Sequence, residues 1–192
     1  MATTEDHLRY LEGGVDVLDD YLLSSEMYWS VGVPAAEEGV ELPLLTMGGL
    51  LLARAMVRGG RLTARQSERF EKVDTQIEGI RTRWRVAWER KCQRSFSTRL
   101  TAWRDFLEEY RAQPEDHADQ YASAVKFRVM LQLLLKESVQ IGEAELRLLS
   151  TMDKILRNII QPGPFIWDTA QAEGFPADEY WFLYGHLPNK IN

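Results

Sequence analysis

Apolar residues recur at steps of three and four from Leu8 through Leu11, Val15 and Leu18 to Leu22, the seam of a helix that lies along another in the manner of a coiled coil. The spacing predicts a first helix over residues 4–25, weakened at Gly13-Gly14 by ~1 kcal/mol per glycine. Residues 27–33 turn briefly strand-like without an obvious partner, and Pro34 to Pro43 reads as a loop. A second helix is expected from Pro43 to about Arg58. It is apolar on most faces, which marks it as the central buried element, and Gly48-Gly49 would let a neighbour approach closely.

Gly59-Gly60 ends that helix and Thr63-x-x-Gln66 is a capping box that opens the next. No proline then intervenes until Pro114, so the third helix has room for about fifty residues, or ~75 Å. Its seam runs through Val73, Ile77, Ile80, Trp84 and Ala87, then Trp88, Cys92, Phe96, Leu100, Trp103, Leu107 and Tyr110. Two features could break it: Gly79, and the repeated steps of four from Trp88 to Leu100, which resemble a stutter. A fourth helix, with Glu115 and Asp116 in its first turn, is expected from Pro114 to Gln140, and a fifth from Glu143 to Ile160.

Gln161-Pro162-Gly163-Pro164 is a hard stop. The remainder carries Phe165, Trp167, Phe175, Tyr180, Trp181, Phe182 and Tyr184, too many aromatics to leave in water. It reads as two short helices packed on the bundle. The expected fold is therefore all-α and a single domain: a helical bundle of about five principal helices over residues 1–160, one long central helix over about 64–112, and an aromatic segment over 161–192.

With 45% hydrophobic and 27% charged residues, the chain has globular composition, which argues against wholesale disorder. The single Cys92 excludes an intramolecular disulfide and a multi-cysteine zinc site, and fits a reducing compartment. The acidic start is neither a secretory signal nor a transit peptide. The most apolar stretch, Leu42 to Ala53, falls short of the ~20 residues a membrane helix needs. A cytoplasmic protein with no membrane partner is expected.

The net charge of −6 offers no general attraction to nucleic acid, yet its distribution is uneven. Residues 1–53 hold one Arg and ten acids, whereas residues 54–104 hold fourteen Lys or Arg and five acids. On an ideal helix Arg65, Arg69, Lys72, Arg83, Arg90 and Arg94 fall within a ~60° arc, and Glu5, Glu12, Asp16, Asp19 and Glu26 form a stripe of matching spacing beside the first seam. The stripes could pair within the chain or between copies, setting register. Alternatively the basic stripe tracks phosphates, or both are simply solvated.

No phosphate-loop, dinucleotide, hydrolase or zinc-protease motif is present, and His7, His117 and His186 lie in unrelated segments. Asp16-x-x-Asp19-Asp20 and Glu68-x-x-Glu71-x-x-Asp74 could each hold Mg²⁺ against a diphosphate. Both spacings resemble those of isoprenoid synthases and nucleotide pyrophosphohydrolases, at the level of a few carboxylates. A second Asp-rich motif is missing, and Glu38-x-x-Glu41 falls in the loop rather than on a paired helix. Neither metal nor cofactor is assigned.

Trp84 and Trp88 stand one turn apart among arginines, a setting that suits base stacking, but both lie on the apolar seam. Together with Trp103, Trp167 and Trp181 they are candidate interface aromatics. A helix of ~75 Å outruns neighbours of about twenty residues, so a second copy covering its seam, as a homodimer, is expected. The function this supports is a non-enzymatic helical scaffold, adaptor or regulatory protein working through protein–protein contacts or self-association. The alternatives are a Mg²⁺-dependent diphosphate enzyme using Asp16, Asp19 and Asp20, and nucleic-acid binding through the basic stripe.

Overall fold

The computed structural model describes residues 3–35, 41–137 and 140–190. Residues 36–40 of the expected Pro34–Pro43 loop, which include Glu38, and the last positions before Gln140 in the expected fourth helix lie outside them. The fold is all-α. Helix α1 (Thr4–Leu23) opens on a capping box, the Asp6 amide donating to Thr3 Oγ1 at 3.1 Å and the Thr3 amide to Asp6 Oδ2 at 2.9 Å. Its Gly13 has a packing reason: a Cβ there would stand 2.5 Å from Val33 Cγ2 and 2.7 Å from the Val31 carbonyl oxygen, so the following loop crosses α1 at that point.

The strand-like stretch finds a partner. Trp29 and Leu45 exchange backbone hydrogen bonds of 3.1 and 2.7 Å as an isolated antiparallel bridge. That pairing delays α2 (Met47–Gly59) beyond the expected Pro43, because Leu45 commits its amide and carbonyl to Trp29 and the cap falls on Thr46, whose Oγ1 accepts from the Gly49 amide at 3.0 Å. Helix α2 buries residues around its circumference, from Met47 and Leu50 through Leu51, Ala53 and Arg54 to Val57. It is the hub, and α1, α4 and α7 all pack on it.

Residues 64–112 are helical but divide into α3 (Ala64–Arg83) and α4 (Arg85–Ala112) at Trp84, whose φ −112° and ψ 34° leave the helical basin. Neither Gly79, which lies inside α3, nor the Trp88–Leu100 stretch, which lies inside α4, is the break. Trp84 donates its indole N–H to Asp19 Oδ1 at 2.8 Å, which fixes the residue to α1. Beyond it the chain changes neighbours: α3 packs chiefly on α1, whereas α4 packs on α7, α2 and α8.

The expected fourth helix is a succession: α5 (Pro114–His117), a 3-10 turn at Ala118–Gln120, α6 (Tyr121–Ala124) and α7 (Lys126–Glu137). The junctions Ala118, Tyr121 and Val125 keep right-handed helical angles, so the path continues through them. Helix α8 (Glu143–Ile159) buries Leu149, Met152 and Leu156. Val73, Ile77, Trp88, Cys92, Phe96, Leu100, Trp103, Leu107 and Tyr110 are all buried in one copy of the chain. The seam of 64–112 therefore presents no continuous apolar stripe to a second copy, and the length argument for a homodimer loses its premise, because α4 is covered by α2, α7 and α8 together.

The C-terminal segment holds the expected pair of short helices, both of the 3-10 type, the second beginning at Trp181 rather than at Pro176. It forms 3-10 turns at Thr169–Gly174 and Trp181–Leu183 and an antiparallel ribbon of β1 (Gln161–Pro162) with β2 (Gly185–His186), prolines and a web of edge-on aromatic contacts replacing helical regularity. Phe175 lies at the centre of that web, its ring 5.1 Å from Tyr180 and 5.6 Å from Trp167. The first turn meets α2 where two glycines touch: a Cβ on Gly59 would stand 2.7 Å from Gly174 Cα. Tyr121 donates to the Phe182 carbonyl at 2.6 Å and Tyr110 to that of Pro188 at 2.7 Å, so the segment is bonded to the bundle along its length. Phe175→Ala should lower the free energy of unfolding by about 3–5 kcal/mol; denaturant unfolding checks it, and an unchanged midpoint would show the segment to be separable from the core.

Candidate functional site

The structure brings part of the two charged stripes together. Arg69 on α3 donates Nε to Glu12 Oε1 at 2.7 Å and Nη2 to Glu12 Oε2 at 2.8 Å, while its Nη1 reaches Glu5 at 2.9 Å. The Glu12 hydrogen bonds, opposed by partial burial and joined by Glu5, hold the Arg69 guanidinium more firmly protonated than usual. Arg83 reaches Asp19 Oδ1 at 2.7 Å, beside the Trp84 indole. Arg94 donates to the Ser25 carbonyl at 2.9 Å, just beyond the end of α1, and buried Lys91 donates to the Glu26 carbonyl there. Arg65, Lys72, Arg90, Asp16 and Glu26 are exposed and form no ion pair among the described residues.

The break at Trp84 leaves Arg65, Arg69, Lys72 and Arg83 on α3 and Arg90 and Arg94 on α4. Two of the carboxylates considered for Mg²⁺ are engaged within the chain. Asp19 serves Arg83 and Trp84, and Asp74 accepts from Arg54 at 2.8 Å and from Arg58 at 3.1 Å. Among the described residues no group of three His, Cys, Asp or Glu side chains is placed to hold a metal ion, and no helix is long and apolar enough to cross a membrane.

Of the candidate interface aromatics, Trp88, Trp103 and Trp167 are buried within the chain, and Trp84 and Trp181 are half-buried. A partner reaches none of the first three. Trp181 stacks under Arg157 at 3.8 Å, and Trp88 donates to Glu137 Oε2 at 3.1 Å.

Sequence reasoning missed the buried ion pairs. Arg54 is 6% exposed in the most apolar helix, yet it meets Asp74 and, at 2.7 Å, Glu78. Glu78 continues to Arg81 and Arg81 to Glu137 on α7. Arg128, 5% exposed, grips Asp153 of α8 through two hydrogen bonds of 2.8 Å and lies 4.5 Å from the Phe182 ring. The signal was a lone charge inside an apolar run together with acids one helical turn apart, Asp74 and Glu78, on a neighbouring helix.

A cavity of about 430 Å³ lies between α1, α2, α4, α6, α7 and the C-terminal segment, within the size range of small-molecule sites. Leu52, Met56, Phe127, Met130 and Trp167 make its apolar wall. Gly49 belongs to its lining because a Cβ there would stand 2.7 Å from the Tyr10 hydroxyl. That hydroxyl accepts from the Thr46 amide at 3.4 Å and donates to the Leu44 carbonyl at 3.3 Å, and burial raises its pKa well above the ordinary phenol. Burial, opposed by the charge of Asp6, lowers the pKa of His7, which favours the neutral imidazole. Asp6, the carboxylate of the lining, accepts from the Thr3 amide and hydroxyl at the α1 cap.

Arg99 is the cavity's distinctive group. Its Nη2 donates to Thr46 Oγ1 at 3.0 Å and its guanidinium carbon stands 5.8 Å from the Phe127 ring, but its buried Nε has no acceptor. The other arginines withdrawn from full exposure, Arg9, Arg54, Arg69, Arg81, Arg104 and Arg128, each pair a carboxylate. Arg99 does not. Lys126, its Nζ 5.5 Å from the same Phe127 ring, also has no ion pair among the described residues, and Gln171 keeps a buried Oε1 without a donor. Sequence reasoning singled out none of these, although Arg99 stands three residues after Phe96 and four before Trp103, on the edge of the α4 seam.

No protein-family model matches the chain, and neither does any curated protein or solved structure.

Two outcomes follow from the ion pairs. Asp153→Ala strands the Arg128 guanidinium and should cost about 3–5 kcal/mol, whereas Arg128→Met, of similar volume, should cost far less; equal losses in chemical denaturation would place the stability in packing alone. The Glu78 carboxyl is pushed up by burial and pulled further down by Arg54 and Arg81, ending below its ordinary 4.5. In acid the unfolded chain takes up that proton first, so stability holds above about 4.5 and falls as pH drops below it. Thermal melting across that range should show the fall, and Glu78→Gln should make it shallower.

Proposed function

We propose that the protein is a non-enzymatic regulatory protein of the cytoplasm that holds a small molecule in the cavity between α1, α2, α4 and α7 and acts through its contacts with another protein. One observation carries the reading: the Arg99 guanidinium in the cavity lining has no carboxylate partner among the described residues, and its buried Nε has no acceptor there. A core that finds carboxylates for Arg54 and Arg128 does not ordinarily leave such a group unmatched. The apolar wall supplies most of the affinity and the few polar atoms set orientation.

Tyr10 serves the lining as a hydrogen-bonded neutral phenol. The phenol stays protonated far above neutral pH, and Asp6 is tied to the α1 cap. The Leu42–Leu44 edge couples occupancy to the surface. Leu44 lines the cavity yet is 53% exposed, so a ligand that draws it inward removes apolar surface from a partner.

A small neutral, polarity-sensitive dye such as 4-(dimethylamino)benzonitrile tests the reading without prejudging the ligand's charge. It should bind at one site per chain with a blue-shifted emission, and Ala53→Trp, which fills the cavity from α2, should abolish that site. Emission that rises without saturation, or that survives Ala53→Trp in a folded variant, would remove the cavity as a binding site.

A further inference from the structure

We propose that the cavity selects an amphipathic carboxylate, a medium-chain organic acid whose carboxylate meets Arg99 and Lys126 and whose chain lies against Leu52, Met56, Met130 and Trp167. The inference rests on the binding reading above and adds the ligand's charge and class. Both cations stand within 6 Å of one ring, Phe127, Arg99 at 5.8 Å and Lys126 at 5.5 Å. The carboxylate in the lining is occupied at the Thr3 cap, and burial keeps His7 neutral. Among the described residues no anion pairs with either cation, and a partly buried one such as Arg99 is costly in that state unless an anion comes to it.

The donors favour a single planar anion. Thr46 Oγ1 holds Arg99 through one hydrogen of Nη2, which orients the guanidinium and leaves the second Nη2 hydrogen and Nη1 for an end-on forked contact. A phosphate monoester would want the amides at the start of α2 as well, and these are committed, Gly48 to Ser95 Oγ at 3.2 Å and Gly49 to Thr46 Oγ1 at 3.0 Å. Size sets the chain. At ~30 Å³ per water-sized group, 430 Å³ accommodates on the order of a dozen non-hydrogen atoms, the size of decanoate.

Trp167 lines the cavity, so tryptophan fluorescence and titration calorimetry can follow decanoate, decanol and decyltrimethylammonium on the intact chain. Decanoate should bind one to one, at least tenfold tighter than decanol, with the ammonium weakest, and the preference should shrink at high salt. Arg99→Gln should erase the preference for decanoate over decanol. Lys126→Gln, at an exposed position, should reduce it severalfold and serves if Arg99→Gln does not fold. Decanol binding as tightly as decanoate, or a preference that survives both substitutions, would overturn the carboxylate assignment while leaving the cavity a binding site. Failure of all three amphiphiles together with the neutral dye would overturn both readings.

Discussion

Arg54 places a positive charge inside the helix that α1, α4 and α7 pack against, and a charge there is tolerable only where carboxylates reach it. Asp74 and Glu78 do so from one face of α3, a turn apart, which fixes α3 on α2 in rotation and in height together. From Glu78 the contact passes to Arg81 and on to Glu137 of α7, which also receives the Trp88 indole of α4. Four helices therefore take their register from one buried guanidinium. Apolar packing alone tolerates slippage by a turn, and paired charges at fixed spacing do not.

The break at Trp84 follows from two incompatible demands on one length of helix. Residues 64–83 are drawn to α1 by Arg69 and Arg83, and residues 85–112 carry the larger apolar side chains, which need α2, α7 and α8. A straight helix cannot meet both sets. Trp84 gives up helical angles while keeping the bonds on either side, its amide to Ile80 at 2.8 Å and its carbonyl to Trp88 at 2.9 Å, and its indole bond to Asp19 offsets part of the cost. The exposed ion pairs of the α1–α3 contact add up to ~1 kcal/mol each, so their role is to decide which neighbour α3 takes.

Much of the fold was legible in the sequence because seams and caps are local. Thr63-x-x-Gln66, the Leu8–Leu22 seam and the Gly59-Gly60 stop depend on residues a turn or two apart. What was not legible depends on distant partners. Nothing near Trp84 predicts a break, because the neighbours that draw the chain apart there, α1 on one side and α2, α7 and α8 on the other, are distant in sequence; nothing near Pro43 delays α2, because the cause is Trp29. The C-terminal aromatics were recognisable as buried, but their 3-10 turns and short ribbon arise from contacts with α2, α6 and α7 that no periodicity encodes. The cavity was the least legible, since its lining comes from six separate parts of the chain. Only Gly48-Gly49, as a point of close approach, hinted at it.

The charged residues divide by what the fold does with them, and that division separates scaffold from site. Arg54, Arg69 and Arg128 each hold two carboxylates or one through two bonds, and in every case the acid comes from a different helix, so the pairing organises helices. Arg99 comes from the same α4 that presents Lys91 to the end of α1, and it is held by a hydroxyl and a ring, contacts that orient a guanidinium without neutralising it. A residue needed only for packing would be replaced by methionine or leucine at little cost. An oriented, unneutralised cation against an apolar wall makes physical sense when its counter-charge arrives from outside the chain, and that is where the chemistry of this fold departs from its architecture.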